Sequence, residues 1–196
     1  MFMTRNILDF SDYIIEHTRD FTGREWVFTQ IDRWLANPDA PPFFIITGEP
    51  GIGKTAIAAQ LVRISNGQAP EPAGCISIKK GFLNAAHFCI RQQVNTVEPL
   101  EFVQSLYSQL LEIDGFTQEL EENSGVEGQT AVPAYIDMVI NPLKALHDRY
   151  PYQQTVVLVD SLDEAARMAR QAMAATADRQ LDIARPLTAY PGGARG

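Results

Sequence analysis

One short run constrains the fold of this chain more than any other: Gly48-Glu49-Pro50-Gly51-Ile52-Gly53-Lys54-Thr55. It fits the pattern Gly-x-x-x-x-Gly-Lys-Thr/Ser, in which glycines let backbone N–H groups surround a phosphate at the positive end of a helix. The pattern requires a strand before the loop and a helix after it. The apolar run 42–47 predicts a fully buried strand, and the small apolar residues that follow Thr55 predict a helix. The run therefore predicts a triphosphate-binding loop.

The motif assigns a role to each residue of the loop. Lys54 is predicted to reach the β- and γ-phosphates, and the Thr55 hydroxyl is predicted to ligate Mg²⁺. The predicted nucleotide contacts are Gly48, Glu49, Pro50, Gly51, Ile52, Gly53, Lys54, Thr55 and Ala56.

Strands and helices alternate along the rest of the chain. Apolar spacing predicts a helix over Val27–Leu35 that ends at Asn37-Pro38, with Trp26 and Trp34 as packing residues. It also predicts helices over 100–113 and 134–150, the second kinked or split at Pro142. Strands are predicted at 85–90 and 155–159. This alternation predicts an α/β fold with a parallel sheet covered on both faces.

An acidic cluster follows the last predicted strand. Asp160 stands at the carboxyl end of that strand, where ligands of such sheets bind, and is predicted to hold Mg²⁺. The small Ser161 leaves room beside the metal. Glu164, with Asp163 as the alternative, is predicted to polarise the attacking water. An open alternative is that Asp163 and Glu164 only cap the helix that follows.

Together these runs resemble the STAND class of signal-transduction ATPases. The run Asp160-Ser161-Leu162-Asp163-Glu164 is most similar to the NACHT branch, and Gly23-Arg24-Glu25 resembles the signature that opens its nucleotide domain. The resemblance implies a three-layer P-loop NTPase fold with a parallel β-sheet sandwiched by helices. It also implies that ATP and Mg²⁺ are the cofactors and that Gly23 and Arg24 lie near the adenine and ribose.

Composition divides the chain into three parts. We expect an N-terminal segment over 1–20, the P-loop domain over 21–165, and an alanine- and arginine-rich tail over 166–196 outside the packed core. Members of the class continue past the acidic strand into a sensor strand ending in arginine, which 166–196 does not resemble. We therefore expect a truncated or frameshifted reading frame, or a deliberately shortened chain, with slow hydrolysis.

Charge and composition disfavour some classes of binding partner. A net charge of −8 disfavours nucleic acid, and no stretch approaches the ~20 apolar residues of a membrane span. Cys75 and Cys89 lack a zinc-binding spacing and are interpreted as buried thiols in a reducing, cytoplasmic compartment. No chemistry is assigned to the three histidines, and His87 is interpreted as a hydrogen-bonded core residue.

The leading hypothesis is an ATP-driven switch that controls a protein partner or effector domain, with self-association also open. Two alternatives are a binding-only nucleotide scaffold fragment and a small-molecule kinase. The kinase is less favoured because the basic residues between Thr55 and Asp160 are scattered. GTP is disfavoured because the chain has no Asn-Lys-x-Asp run to recognise guanine.

Overall fold

A computed structural model describes residues 8–116, 130–168 and 170. Its helices are α1 (Ser11–Thr18), α2 (Glu25–Ala36), α3 (Lys54–Ser65), α4 (Pro99–Leu110), α5 (Ala131–Tyr135), α6 (Asn141–Arg149) and α7 (162–168), with a 3₁₀ turn at Val94–Thr96 and a π-helical turn at Ile136–Ile140. Its strands are β1 (Ala85–Phe88) and β2 (Val157–Asp160). None of these helices is long and apolar enough to cross a lipid bilayer.

Several predicted elements are confirmed. α2 ends one residue before the predicted stop at Asn37-Pro38, because proline cannot continue the helical hydrogen bonding. α4 lies inside the predicted helix at 100–113 apart from its first residue, Pro99, which suits the start of a helix. β1 and β2 form within a few residues of their predicted positions. Of the predicted tail, 171–196 and residue 169 lie outside the described residues.

The two strands are parallel, with Ala85 opposite Val157 and Phe88 opposite Asp160. Their carboxyl ends therefore meet at one edge, where the N–H of Cys89 donates to the carbonyl of Asp160 at 3.1 Å. Helices cover both faces of β1. α4 packs against Ala85 on one face, and α1 and α3 pack against Phe88 on the other. Asp160 is thus placed beside the helix that begins with Lys54.

A side chain from α4 forms hydrogen bonds with the backbone at the outer edge of β1. Gln109 accepts a hydrogen bond from the N–H of Ala86 at 2.9 Å and donates to the carbonyl of the same residue at 3.0 Å. The amide thereby makes the pair of bonds that a neighbouring strand would make. This arrangement satisfies two backbone groups that would otherwise cost free energy in a partly buried position.

The buried strand predicted at 42–47 is wrong. Among the described residues this run pairs with no strand, and the side chains of Phe43 and Ile45 are 76% and 78% exposed. Phe44 packs on Trp34, with ring centroids 5.7 Å apart, and Ile46 packs on the core beside α2. A buried parallel strand requires paired neighbours and cover on both faces, which an apolar run cannot supply by itself. Since the described sheet has two strands, the three-layer fold stays a prediction.

The prediction that Trp26 is a packing residue is wrong. Its side chain is 68% exposed, whereas the buried face of α2 is centred on Val27, Phe28, Ile31 and Leu35. One residue is a rotation of about 100° around a helix, so Trp26 lies off the edge of this stripe. Trp34 does pack on the cluster, and its indole N–H donates to the carbonyl of Pro41 at 2.7 Å.

The predicted interruption at Pro142 takes the form of a π-helical turn. α5, the π turn at Ile136–Ile140 and α6 follow one another without a gap. Proline has no N–H to donate and its ring crowds the preceding turn, which a wider i→i+5 turn accommodates. Met138 and Val139 on this turn remain buried, so the change of pitch keeps the apolar face on the core.

One buried carboxylate ties α2 to a loop. Oδ1 of Asp32, whose residue is 7% exposed, accepts hydrogen bonds from the backbone N–H groups of Ile76, Ser77 and Ile78 at 2.9, 2.6 and 3.0 Å. Three consecutive donors around one anion form a compact anion-binding turn. Within the described residues this contact fixes the segment that leads toward β1.

His87 is a fully buried core residue, as its apolar surroundings in the sequence predict. Its Nε2 lies 2.7 Å from the carbonyl of Thr96, so Nε2 carries the proton and donates. Nδ1 lies 3.4 Å from the hydroxyl of Ser105, and the rings of Phe10 and Phe102 enclose the imidazole edge-on. Burial lowers the pKa of His87 below 6.5, and the bond to Thr96 offsets part of that effect.

Stability is expected to fall as the pH is lowered from 7.5 to 5.5. Because the pKa of His87 is lower in the folded state, the unfolded chain takes up the proton first. The stabilisation is complete above pH 6.5 and is lost as the pH falls toward the folded-state pKa, by at most about 1.4 kcal/mol per pH unit. Urea unfolding of the unsubstituted chain and of His87→Gln, which can donate to Thr96 but does not titrate, measures this. Equal pH dependence in both proteins would contradict it.

Candidate functional site

The predicted phosphate loop links the run 42–47 to α3, which begins at Lys54. Gly51 and Gly53 have φ angles of 82° and 96°, in the left-handed region that favours glycine. Gly53 is the residue before the helix, so this turn is what directs the loop onto the helix N-terminus. Such an N-terminus presents unpaired N–H groups and a partial positive charge, which suit an anion.

Lys54 folds back over the loop. Its Nζ donates to the carbonyls of Gly48 and Glu49 at 2.9 and 3.1 Å. The ammonium therefore lies inside the curve of the loop, close to where the motif places the phosphates. From Gly48 to Ile52 the residues are exposed, and Gly53 to Ala56 are half-buried.

The Gly23-Arg24 pair lies next to this loop. Gly23 and Arg24 have φ angles of 73° and 72°, an uncommon conformation for arginine, and α2 begins directly after them. This turn directs the guanidinium of Arg24 to the loop, where Nη2 donates to the carbonyl of Ile52 at 2.9 Å. Two motifs that are separate in the sequence thus meet in the structure.

Asp160 lies at the carboxyl end of β2 and is 9% exposed. The hydroxyl of Ser161 donates to its Oδ2 at 3.0 Å. Ser161 has a φ of 58°, so the backbone turns sharply between β2 and α7. The described residues contain no group of three or more His, Cys, Asp and Glu side chains that could hold a metal ion. The candidate metal ligands here are one carboxylate, from Asp160, and one hydroxyl, from Thr55.

Tyr13 of α1 packs beside this sheet edge, which no spacing in the sequence indicates. Its ring centroid lies 5.6 Å from that of Phe88, at the end of β1. Burial raises the pKa of Tyr13, the negative charges of Asp160, Glu16 and Glu164 raise it further, and a polar interaction with Thr55 lowers it. α1 therefore lies close to the Asp160 side of the candidate site.

The two candidate water-activating acids differ in exposure. Both form ion pairs with Arg167 of α7, Asp163 at 2.8 Å and Glu164 at 3.3 Å. The side chain of Asp163 is 66% exposed, whereas that of Glu164 is 26% exposed and its charge acts on Tyr13. Glu164 is thus the acid nearer the Tyr13 side of the site. Arg167, which lies in the predicted tail, had no predicted role.

Cys89 follows β1 at the same sheet edge and is 3% exposed. Burial raises the pKa of its thiol to about 11, and the negative charges of Asp160 and Asp163 add to the effect. A thiol with this pKa is protonated at neutral pH and is a poor nucleophile. The interpretation of Cys89 as a buried thiol is confirmed, whereas Cys75 is only half-buried.

The loop, Lys54, Thr55 and Asp160 together define a candidate nucleotide site on a small helix-rich α/β unit. The chain belongs to the nephrocystin 3 N-terminal family, whose family model matches residues 23–185. This match begins at Gly23, includes the loop and Asp160, and extends into the segment 166–196. No curated protein and no solved structure matches the chain significantly.

Proposed function

We propose that this chain is an ATP-binding and ATP-hydrolysing switch module of the STAND class, similar to its NACHT branch. In this proposal the domain is a three-layer P-loop NTPase in which β1 and β2 are part of a larger parallel sheet. One observation carries it: β2, which ends at Asp160, packs on α3, the helix that begins with Lys54 and Thr55 of the phosphate loop. A P-loop site needs the side chains of Thr55 and Asp160 on one Mg²⁺.

The donor atoms fit Mg²⁺ with a nucleotide. Mg²⁺ prefers oxygen ligands and is commonly bound through one or two carboxylates, substrate phosphates and waters. Thr55 and Asp160 would supply a hydroxyl and a carboxylate, and the triphosphate would supply the rest. Bound Mg²⁺ would neutralise charge on the β- and γ-phosphates. Lys54 would then exchange the carbonyls of Gly48 and Glu49 for phosphate oxygens, which are stronger acceptors for an ammonium.

Arg24 supports the predicted nucleotide orientation. Its bond to the carbonyl of Ile52 holds the Gly23-Arg24 turn beside the phosphate loop. In this proposal Gly23 and Arg24 contact the adenosine, while the loop binds the phosphates.

Glu164 is the proposed water-activating residue, with Asp163 as the alternative. The lower exposure of the Glu164 side chain favours it. A carboxylate within reach of the attacking water contributes about 10²- to 10⁴-fold to such a rate. Hydrolysis would reset the switch, and a protein partner or effector domain would respond to the bound nucleotide.

A binding-only nucleotide scaffold is the second candidate function. The ion pairs that Arg167 makes with Asp163 and Glu164 favour it, because carboxylate oxygens that bind a guanidinium have fewer lone pairs left to bind a water. ATP binding is common to both candidates, and turnover distinguishes them.

An ATP-binding measurement and a phosphate-release assay with Mg²⁺ test the proposal. We expect the unsubstituted chain to bind ATP and release phosphate slowly. Glu164→Ala is expected to lower turnover about 100-fold while ATP affinity changes less than about 2-fold. The control is Asp148→Ala, which removes an exposed carboxylate from α6 and should change neither quantity.

Three other outcomes distinguish the switch, the scaffold and the kinase. Binding without phosphate release favours the scaffold. Phosphate transferred to an added metabolite rather than to water favours the kinase. Absence of ATP binding with and without Mg²⁺ contradicts both the switch and the scaffold.

A further inference from the structure

Arg24, directly before α2, reaches the end of the phosphate loop, directly before α3. α2 and α3 pack in one buried cluster, which contains Val27 and Phe28 of α2 and Ile57 of α3. The carbonyl of Arg24 accepts hydrogen bonds from the N–H groups of Val27 and Phe28 at 2.9 and 3.4 Å. The backbone of Arg24 is thus held by the first turn of α2, which is itself packed on the helix that follows the loop.

The guanidinium of Arg24 lies against one peptide group of the loop, the one between Ile52 and Gly53. Its Nη2 donates to the carbonyl of Ile52 at 2.9 Å. A Cβ placed on Gly53 would lie 3.8 Å from Nη2 of Arg24. Arg24 therefore contacts the peptide group that ends at the residue before α3.

The orientation of this peptide group decides where the N–H of Gly53 points. A trans peptide is planar, and its C=O and N–H point in opposite directions. Glycine accepts many backbone conformations, so the peptide before Gly53 can rotate at little steric cost. The bond to Arg24 fixes the carbonyl of Ile52, and the N–H of Gly53 is thereby held facing away from the guanidinium.

This N–H belongs to a run of unpaired donors. Among the described residues, the N–H of Gly53 has no acceptor. The N–H groups of Lys54 and Thr55 come next, in the first turn of α3, where a helix supplies no acceptor for them. A donor that is already oriented loses less conformational freedom when it binds an anion than one that must first be ordered.

We propose that Arg24 is a positioning residue for phosphate: its bond to the carbonyl of Ile52 holds the N–H of Gly53 in the direction in which it donates to a phosphate oxygen. The inference rests on the proposed function and deepens it, because it adds an action on the phosphates to the proposed contact of Arg24 with adenosine. The guanidinium acts through the peptide group and does not need to touch the phosphate. The ligand recognised in this way is a polyphosphate chain, with or without a nucleoside.

Inorganic tripolyphosphate tests this, because it presents the phosphates of ATP without adenosine. Calorimetry with Mg²⁺ present measures the affinity for ATP and for tripolyphosphate, and competition with ATP shows whether both bind at one site. In Arg24→Ala we expect the affinity for tripolyphosphate to fall about 10-fold, the equivalent of about one hydrogen bond to a charged group. The affinity for ATP should fall at least as much. Arg24→Lys, which keeps a charged donor, should lose less than about 3-fold.

The amide signal of Gly53 in a ¹H–¹⁵N spectrum distinguishes positioning from a general effect of charge. A hydrogen bond to a charged acceptor is short and strong, and it moves the amide proton signal downfield. We expect this downfield shift when tripolyphosphate binds the unsubstituted chain. In Arg24→Ala saturated with tripolyphosphate the shift should be smaller, because the N–H of Gly53 is no longer held toward the ligand.

Arg33→Ala is the matched control. Arg33 is an exposed arginine in the last turn of α2, at the other end of the helix from Arg24, and its removal makes the same change in net charge. This variant should bind both ligands as the unsubstituted chain does. All variants are compared at a temperature at which thermal unfolding shows each of them to be folded.

The outcomes separate this inference from the proposed function. If the unsubstituted chain binds ATP but tripolyphosphate does not compete, or if Arg24→Ala binds tripolyphosphate with unchanged affinity, only the role of Arg24 toward phosphate is overturned. A loss of affinity with an unchanged shift of the Gly53 signal also overturns it, because a charge effect alone would cause that result. If the unsubstituted chain binds neither ligand, the proposed function fails and this inference fails with it.

Discussion

Replacing Lys54 with alanine is expected to lower the affinity for Mg²⁺-ATP about 100-fold, which corresponds to about 2.7 kcal/mol. Lys54 already lies inside the loop, on the carbonyls of Gly48 and Glu49, so little rearrangement separates it from a phosphate. A bond between an ammonium and a phosphate is stronger than one between neutral groups. Its loss would leave the loop amides and the helix N-terminus as the remaining phosphate contacts.

Isothermal titration calorimetry with the unsubstituted chain and the variant measures this loss. Lys144→Ala is the control, because Lys144 is an exposed lysine on α6 and its removal makes the same change in net charge. A general charge effect would weaken ATP binding equally in both variants. A decrease of less than about 3-fold in Lys54→Ala alone would contradict the proposed phosphate site.

Replacing Asp32 with alanine is expected to lower the free energy of unfolding by about 3 to 5 kcal/mol. The change leaves the N–H groups of Ile76, Ser77 and Ile78 without their common acceptor. Each buried donor left unsatisfied costs about 1 to 3 kcal/mol, and water entering the space recovers part of this. Few surface substitutions approach such an effect.

Urea unfolding followed by circular dichroism tests this prediction. Asp32→Asn should cost less than Asp32→Ala, because the amide oxygen still accepts hydrogen bonds but carries no charge. Asp39→Ala, at an exposed site, should change stability by less than about 0.5 kcal/mol. A loss of under about 1 kcal/mol in Asp32→Ala would show that the loop does not depend on this carboxylate.

The helices and strands that sequence predicts correctly are those with a strong local pattern. α2 and α4 carry apolar residues at helical spacing, and β1 and β2 are short apolar runs. The run 42–47 has equally strong apolar character, but strand formation also depends on neighbouring strands that no local pattern specifies. The prediction for Trp26 is wrong because neighbouring residues lie about 100° apart around a helix, so a residue next to a buried one can lie off the buried face.

In the candidate site, too, local sequence patterns predict some residues and miss others. The loop and Asp160 follow from motifs, since their chemistry depends on consecutive residues. Tyr13 lies near the same sheet edge because α1 packs on α3 and on Phe88, and no spacing in the sequence connects residue 13 with this edge. Arg167 was predictable in principle, because it follows Asp163 by four residues and Glu164 by three, spacings that pair side chains on a helix.

The amide of Gln109 has a consequence for the architecture of the whole sheet. By bonding both backbone groups of Ala86, it blocks hydrogen bonding to any additional strand at that position. Within the residues described, β2 pairs with no strand other than β1. Further strands can therefore be added to the sheet only beside β2. In such a larger sheet β1 remains an edge strand.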